Sequence, residues 1–535
     1  MPSGHRRGTV GGRRKTAFDN RLPAIPAAIV NFFQPNVNAS FLKRRTRRRA
    51  GGAEVAVASI DSEHAPRSPG RMPAAMSRAF VGVRRAALAG AVARLRALFA
   101  DGSDSSLMRR LAGAAFLIRL ASAAIAFVSQ ILLARWMGGF EFGIYVYAWT
   151  WVLLIGGMVD LGLGSATQRF IPEYSERRQF ALLRGFLRGS RFLATTIAAM
   201  IAVVGAAVVR LLTPHLGPET VVPLYLACAA LPLSGLAQVQ SGIARSYDWV
   251  YLGLMPVYVQ RQLLLLVLMG LAYAAGLPTD AATATLAGVV SLWAVTIGQF
   301  VVLDRRLAAT VASGPKAYAV RAWLLTAAPI FLVEAFYLLL TYADVIVLQQ
   351  FRPPDEVAVY YAATKTLALV AFIYFSVAQT IAHKFAEYHV SGDGKRLAAF
   401  LRQSVRLTFW PSLACILLLL AFGRPLLRLF GAGFASGYYL MFIIAVGLLA
   451  RAAVGPAERL LNMLGERSSC ALVYGASFAL NLILCIVLIP RTGLAGAASA
   501  NAAALVFESA ALFLVAKYRL GLHCLIFGRP RAAEA

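Results

Sequence analysis

The stretch LLARWMGGFEFGIY, residues 132–145, decides the fold of this 535-residue chain, because it joins the end of one long apolar run to the start of another. The runs on either side cover residues 111–134 and 143–164, and each is long enough to cross the roughly 30 Å apolar core of a bilayer. Backbone polar groups in that core must be hydrogen-bonded within their own segment, so such runs are helices. The stretch therefore predicts a turn between two transmembrane helices.

The same alternation of apolar runs and short polar turns continues along the rest of the chain. Overall, 59% of residues are apolar and 14% are charged, whereas soluble domains have about 45–50% and 25%. We expect an all-α membrane protein with about twelve transmembrane helices. The predicted spans are 111–134, 143–164, 192–212, 221–241, 253–275, 281–303, 322–349, 357–382, 405–423, 436–455, 469–490 and 494–516.

The turn after the first helix has a counterpart later in the chain. Residues 131–148 align with residues 346–363 at a constant offset of 215 (346 − 131), with five identities in eighteen positions. The two stretches join predicted helices 1 and 2 and predicted helices 7 and 8. A repeat whose helix numbers differ by six predicts two homologous six-helix bundles, an arrangement common in transporters.

The charge pattern predicts topology rather than nucleic-acid binding. The net charge is +29, and residues 1–110 hold 21 Lys and Arg against 6 Asp and Glu. Most other basic residues outside the spans lie in the loops after even-numbered helices and in the C-terminal tail. Because basic loops stay in the cytoplasm, we expect a bacterial inner (plasma) membrane protein with both termini cytoplasmic.

The chain divides into five predicted regions. Residues 1–75 are expected to form a disordered basic cytoplasmic arm, and residues 76–106 an amphipathic helix on the membrane surface. The N-terminal bundle is expected over 107–308, the C-terminal bundle over 309–520, and a cytoplasmic tail over 521–535. Met76 is an alternative start, so whether residues 1–75 are translated stays open.

Two turns carry a resemblance to a known family. The stretch 132–145 resembles the turn between helices 1 and 2 of bacterial polysaccharide exporters, and the stretch Leu429–Gly437 is similar to their turn between helices 9 and 10. These exporters are the oligosaccharide flippases of the multidrug/oligosaccharidyl-lipid/polysaccharide superfamily, whose fold resembles that of MATE antiporters. The resemblance spans about residues 111 to 518.

The resemblance implies a V-shaped pair of six-helix bundles around a hydrophilic cavity. The implied substrate is a polyprenyl-pyrophosphate-linked oligosaccharide, moved from the inner to the outer leaflet, with no cofactor. Lipid-II flippases of the superfamily carry an Arg-Asp pair late in helix 1, where this chain has Ser129 and Gln130. This departure favours a substrate for exopolysaccharide or O-antigen (lipopolysaccharide) synthesis over a peptidoglycan precursor.

Cationic and amide side chains inside the predicted spans are candidates for substrate binding. An ionisable residue is costly to expose to lipid, so it usually faces a cavity, and a guanidinium group matches phosphate oxygens well. Snorkelling to the headgroups or a structural ion pair remains an alternative for each cation. The candidates for a pyrophosphate-binding cavity are Arg119, Arg261, Lys365, Gln130 and Gln238.

Three acidic residues inside spans are candidates for coupling transport to an ion gradient. Glu334 lies mid-helix, and a salt bridge with one of the arginines is its alternative role. Asp344 lies on the same face of the helix, and Glu508 is a lone acid in the last span. Tyr145, Tyr147, Trp149 and Trp151 are instead attributed to an interfacial aromatic belt, with stacking on sugar rings as the alternative.

The sequence leaves three functions to compare. The first is a flippase that works by alternating access, with membrane lipids, a polysaccharide polymerase and glycosyltransferases as expected partners and no nucleic acid. The second is a MATE-like cation-coupled drug antiporter, for which Glu334 would be the coupling acid. The third is a membrane polysaccharide polymerase, which the short outer loops disfavour. We expect no enzyme activity and no metal site, because no catalytic, nucleotide-binding or metal-binding motif occurs.

Overall fold

The computed structural model describes residues 104–391 and 393–526, which form an all-helical bundle. The expected arm 1–75 and nearly all of the expected surface helix lie outside the described residues. The helices are α1 Asp104–Gly156, α2 Leu163–Glu176, α3 Phe180–Leu212, α4 Pro218–Ser246, α5 Val250–Met255, α6 Arg261–Ala274, α7 Ala281–Thr310, α8 Val320–Phe351, α9 Pro354–Leu367, α10 Ala371–Val390, α11 Gly394–Ala421, α12 Gly423–Arg428, α13 Tyr438–Val454, α14 Ala457–Met463, α15 Arg467–Thr492 and α16 Leu494–Leu520.

Helix α1 contains two membrane crossings. Its 53 residues would extend about 80 Å if straight, far more than the apolar core of a bilayer requires. The helical backbone breaks at Gly138, whose φ of 79° and ψ of 171° lie outside the helical region. Glycine readily adopts positive φ. The break therefore falls at the pair Gly138 and Gly139, within the stretch 132–145 that was predicted to form a turn.

Contacts with α6 and the residues before it show that the chain reverses at this break. Before the break, Arg119 lies over the ring of Tyr258, and Trp136 stacks on Tyr273 near the end of α6. After the break, Trp149 lies beside the first residue of α6. The described residues contain eleven candidate spans, of which the first, Leu117–Gly156, includes both arms of this hairpin. The described residues therefore contain twelve candidate crossings, in agreement with the prediction of about twelve.

The crossings form two bundles of six, the N-half (α1–α7) and the C-half (α8–α16). The two repeated hairpins meet at one end of the molecule, which we call the hairpin end. An ideal Cβ on Gly139 would lie 3.8 Å from Asp355 Cβ, and one on Gly143 would collide with the Pro354 carbonyl. Arg135 also donates from Nε to the Leu429 carbonyl at 2.5 Å. These contacts close the hairpin end.

Helix α8, the first helix of the C-half, packs against helices of the N-half as well as against those of its own half. Near its start, the buried Trp323 donates its indole N–H to Tyr174 Oη at 3.0 Å and packs edge-on against Phe186 of the N-half. Further along, α8 packs against α15 of the C-half. The linker before α8 is held by Arg184, which donates to the carbonyls of Ala312 and Pro315. Movement of one half against the other therefore involves α8.

The second crossing is longer than predicted and has an internal break. The expected span 143–164 is interrupted after Gly156 and continues as α2 to Glu176. Both carboxylate oxygens of Asp160 accept backbone N–H groups, from Gly162 at 3.2 Å and Gly164 at 2.8 Å. These bonds cap the start of α2, where the first N–H groups of a helix have no partner within it. Asp160 therefore has a structural role at the start of α2.

Candidate functional site

Two predicted cations from opposite halves lie in one aromatic cage. The Arg261 guanidinium is 5.4 Å from the centroid of the Trp149 ring in the N-half. Lys365 Nζ in the C-half is 4.9 Å from the centroid of the Tyr361 ring and 5.9 Å from that of Tyr342. We call these five residues the cation cage. The cage is assembled only when the two halves come together, because α1, α6, α8 and α9 all contribute to it.

Neither cation of the cage forms an ion pair with a described acid, although the buried Asp344 is an electrostatic neighbour of Lys365. Tyr342 and Tyr361 lie within electrostatic range of Arg261, and Tyr342 is also in range of Lys365. Among the described residues, no carboxylate lies within 4.0 Å of either cation, and the buried Nε of Arg261 has no hydrogen-bond partner. Aromatic faces attract a cation by about 2 kcal/mol when desolvated, but they leave its charge and hydrogen-bond donors available. This is the electrostatic requirement for binding an anion.

The aromatic residues of this region are not an interfacial belt, so that interpretation was wrong. Tyr145 is 2% exposed and Trp149 is 8% exposed, and their rings stack at 6.0 Å inside the bundle. Tyr147 is also buried and accepts a hydrogen bond from Gln350 across the halves at 3.1 Å. Hydropathy indicated that these residues follow a turn, but it did not give the rotation of the helix about its own axis, which places Tyr145 and Trp149 near Arg261.

A second group of basic residues, Arg119 and Arg245, lies in the N-half, farther from the hairpin end than the cation cage. Arg119 lies over the Tyr258 ring at 4.8 Å, and Tyr258 is in turn an electrostatic neighbour of Arg261. Arg245 lies within electrostatic range of Arg119, Tyr258 and Glu334. Arg245 was not among the predicted site residues, because it falls just beyond the predicted fourth span and was counted as a loop residue. In the structure α4 continues to Ser246.

Glu334 connects the two halves next to these arginines. Its Oε1 accepts a hydrogen bond from Ser165 Oγ at 2.6 Å, joining α8 to α2. Arg245 is an electrostatic neighbour of Glu334, but among the described residues no arginine lies within ion-pair distance of it. Glu334 is half-buried. It is therefore a carboxyl group at the junction of the halves that lies near Arg245 but forms no ion pair with a described arginine.

The other two acidic candidates lie within the C-half. Asp344, 1% exposed, accepts hydrogen bonds from Tyr360 Oη at 2.5 Å and Asn501 Nδ2 at 3.1 Å, which ties α8 to α9 and α16. Glu508, also 1% exposed, has Oε1 at 3.7 Å from Arg451 Nη2. The Asp344 carboxylate thus accepts hydrogen bonds from two side chains of the protein, whereas the Glu508 carboxylate has only a long ion pair with Arg451.

The two amide candidates lie on N-half helices. Gln130 is half-buried on the first crossing, and its Oε1 has no hydrogen-bond partner among the described residues. Gln238 is half-buried on α4, with its backbone carbonyl packed against Gly164. All five cysteines are free thiols. Within residues 104–391 and 393–526, no cluster of three or more His, Cys, Asp or Glu side chains could hold a metal ion.

Two family models match the sequence. The model described as "Polysaccharide biosynthesis protein" matches residues 110–383, and the one described as "MatE" matches residues 329–487. No curated protein matches the chain. The two matches together cover both halves and confirm the resemblance noted from the two turns.

Solved membrane transporters share the fold. An inward-facing multidrug resistance MATE family transporter of the MOP superfamily has a TM-score of 0.62 at 14% identity, covering 76% of this chain and 98% of that one. An outward-facing structure of such a transporter has a TM-score of 0.56 at 13% identity, with coverage of 77% and 95%. The lipid II flippase MurJ, in an inward closed conformation, has a TM-score of 0.56 at 14% identity, with coverage of 74% and 87%. These similarities establish a MATE-like fold.

Proposed function

Because the chain belongs to the polysaccharide biosynthesis protein family, we propose that it translocates a polyprenyl-pyrophosphate-linked oligosaccharide across the bacterial inner membrane. The sugar would be a unit of O-antigen or exopolysaccharide. Transport proceeds by alternating access between the N-half and the C-half, which correspond to residues 107–308 and 309–520. In this proposal both termini are cytoplasmic, so the hairpin end, where the two halves are in contact, faces the periplasm.

The cation cage is the observation that carries this proposal. A pyrophosphate brings several negative charges into a region of low dielectric constant, where uncompensated charge is costly. The two tyrosines of the cage are electrostatic neighbours of Arg261, and their ring centroids lie 4.9 and 5.9 Å from Lys365 Nζ. Neither cation has a carboxylate within 4.0 Å among the described residues. A pyrophosphate bound between them would compensate both charges and contact both halves. Arg119 and Arg245 would attract it from the cytoplasmic side.

Glu334 is the proposed coupling acid. Its hydrogen bond to Ser165 joins the halves, so a change of its protonation or of its counter-charge affects the junction that must move. Asp344 and Glu508 remain candidates, although the saturated hydrogen bonds of Asp344 suit a structural role better. Since the sequence carries no ATPase motif, we propose an ion gradient, or consumption of the product by a polymerase, as the driving force. Glycosyltransferases would supply the lipid-linked sugar, and no catalytic step occurs in this chain.

A transport assay on matched variants tests the proposal. Proteoliposomes containing the full-length protein would be loaded with fluorescent undecaprenyl pyrophosphate, and the fraction reaching the opposite leaflet measured. Arg261→Ala and Lys365→Ala should each lose most of this activity, while Arg210→Ala, which removes an exposed arginine at the end of α3, should retain it. Full activity of both cage variants would contradict the proposal.

A cation-coupled drug antiporter is the second candidate, and the MatE match at residues 329–487 favours it. An antiporter for cationic drugs requires acids rather than paired cations in its binding cavity. The same proteoliposomes can discriminate the two functions, because export of a fluorescent cationic drug that depends on Glu334 but not on Arg261 would support the antiporter.

A further inference from the structure

A second polar cluster lies within the C-half, apart from the cation cage. The Arg451 guanidinium on α13 is 5.3 Å from the centroid of the Tyr374 ring on α10. Tyr374 Oη donates to Glu458 Oε2 on α14 at 3.3 Å. Glu508 on α16 and Tyr474 on α15 are electrostatic neighbours of the same arginine. Five helices thus bring two acids, one arginine and two tyrosines together at one place.

Several polar atoms of this cluster have no partner. Tyr474 and Glu508 are each 1% exposed. Neither oxygen of the Glu508 carboxylate nor Tyr474 Oη has a hydrogen-bond partner among the described residues, and Arg451 Nη2 stays 3.7 Å from Glu508. Leaving a buried polar group without a hydrogen bond costs about 1–3 kcal/mol, and more when the group is charged. The cluster therefore contains buried acceptors and a buried hydroxyl whose hydrogen-bonding capacity is not used by the described residues.

Tyr337 connects this cluster to the cation cage. It lies on α8, is 41% exposed, and packs edge-on against Tyr474 with ring centroids 5.8 Å apart. Arg451 and the cage residue Tyr342 are both electrostatic neighbours of Tyr337. Arg451 itself is 25% exposed. A ligand bound in the cage can therefore extend along α8 and reach Tyr337 and Arg451.

We propose that this C-half cluster binds the sugar hydroxyls of the lipid-linked substrate. The inference rests on the proposed function and assigns a place to the sugar beside the pyrophosphate. Vicinal hydroxyl groups donate to carboxylate oxygens and accept from a guanidinium group, so they complement the half-buried Glu458 and Arg451. The apolar face of a sugar ring packs on the exposed ring of Tyr337. Glu508 acts as a positioning residue that orients Arg451 toward the ligand.

Binding measurements with two types of lipid test this assignment. The full-length protein in nanodiscs would be titrated with undecaprenyl pyrophosphate, either bare or carrying one galactose or one N-acetylglucosamine. We expect the wild type to bind at least one glycosylated lipid about tenfold more tightly than the bare lipid, which corresponds to about one good hydrogen bond gained. Tyr337→Leu and Arg451→Gln should reduce this preference to near one while leaving affinity for the bare lipid unchanged.

The controls separate this inference from the proposed function. Arg261→Ala should weaken binding of all three lipids and keep the preference for sugar, whereas Tyr439→Leu, at an exposed tyrosine elsewhere in the C-half, should change neither. A sugar preference that survives in both cluster variants would overturn the inference. Equal binding of all three lipids by the wild type would also overturn it, because the cluster would then bind water rather than sugar. If Arg451→Gln does not fold, Tyr337→Leu decides, because its side chain is partly exposed. Failure of the wild type to bind any of the lipids would instead overturn the proposed function.

Discussion

Ser165 donates its hydroxyl to Glu334 at 2.6 Å, across the junction between α2 of the N-half and α8 of the C-half. Arg245 is an electrostatic neighbour of Glu334, and Arg119 is in turn an electrostatic neighbour of Arg245. An arriving pyrophosphate would compete with Glu334 for the field of these arginines. The hydrogen bond is therefore placed where substrate binding and the relative position of the two halves can affect each other.

Replacing Glu334 by glutamine should separate coupling from folding. Glutamine can still accept the Ser165 hydrogen bond through its amide oxygen, but it cannot exchange a proton or carry a charge. We expect Glu334→Gln to be inserted and folded normally, and to lose acceleration of transport by an imposed proton gradient. The measurement is the initial rate of lipid translocation in proteoliposomes with and without that gradient. An undiminished response in the variant would remove Glu334 as the coupling acid.

Ser165→Ala serves as the companion variant. It removes the hydrogen bond but leaves the carboxyl group, so the response to the gradient should persist. The loss of a hydrogen bond to a charged group would be expected to weaken the junction by about 1.5–3 kcal/mol.

The Trp149 ring should be required for the function of Arg261. We expect Trp149→Leu to lower transport at least tenfold, because it removes the aromatic face 5.4 Å from the guanidinium and with it about 2 kcal/mol of cation–π attraction. Trp149→Phe also loses volume but retains a ring, and should preserve much of the activity. Transport rates would be normalised to the amount of folded protein. Equal losses in the two variants would indicate packing rather than the cation–π contact.

The Tyr360 hydroxyl should stabilise the C-half without affecting the transport mechanism. It donates to the buried Asp344 carboxylate at 2.5 Å, and loss of a hydrogen bond to a charged group costs about 1.5–3 kcal/mol. Tyr360→Phe should therefore lower the thermal unfolding midpoint in detergent, whereas Tyr439→Phe on the exposed surface should not. Retained stability in Tyr360→Phe would argue against Asp344 as the point that ties α8 to α9 and α16.

A disulfide across the hairpin end should stop transport reversibly. An ideal Cβ on Gly139 lies 3.8 Å from Asp355 Cβ, which is the typical Cβ–Cβ distance of a disulfide. We expect the double variant Gly139→Cys/Asp355→Cys to crosslink under mild oxidation, to lose transport, and to regain it after reduction. Each single cysteine variant should be unaffected by the oxidant. Continued transport by the crosslinked protein would show that the hairpin end does not need to open.

The sequence by itself determined the membrane class, the twelve crossings and the division into two related halves. These properties depend on the length and hydropathy of segments, and the bilayer imposes them on each segment separately. The repeat pairing Glu141 with Glu356 also identified the two hairpins that meet at one end, although not that they touch. The candidate cations followed from the same reasoning, because a charge inside a span requires a polar environment whichever helix lies next to it.

Only the tertiary structure decided which side chains share a site. Hydropathy defines how deep a residue lies in the membrane, but not the rotation of its helix or the identity of its neighbours. For this reason Trp149 was assigned to an interfacial belt and is found against Arg261, and Arg245 was counted as a loop residue and is found beside Glu334. Arg261 shares the tyrosines of the cation cage with Lys365 because α8 and α9 pack against the N-half. That packing is set by the shapes of many apolar side chains together, which no single segment contains.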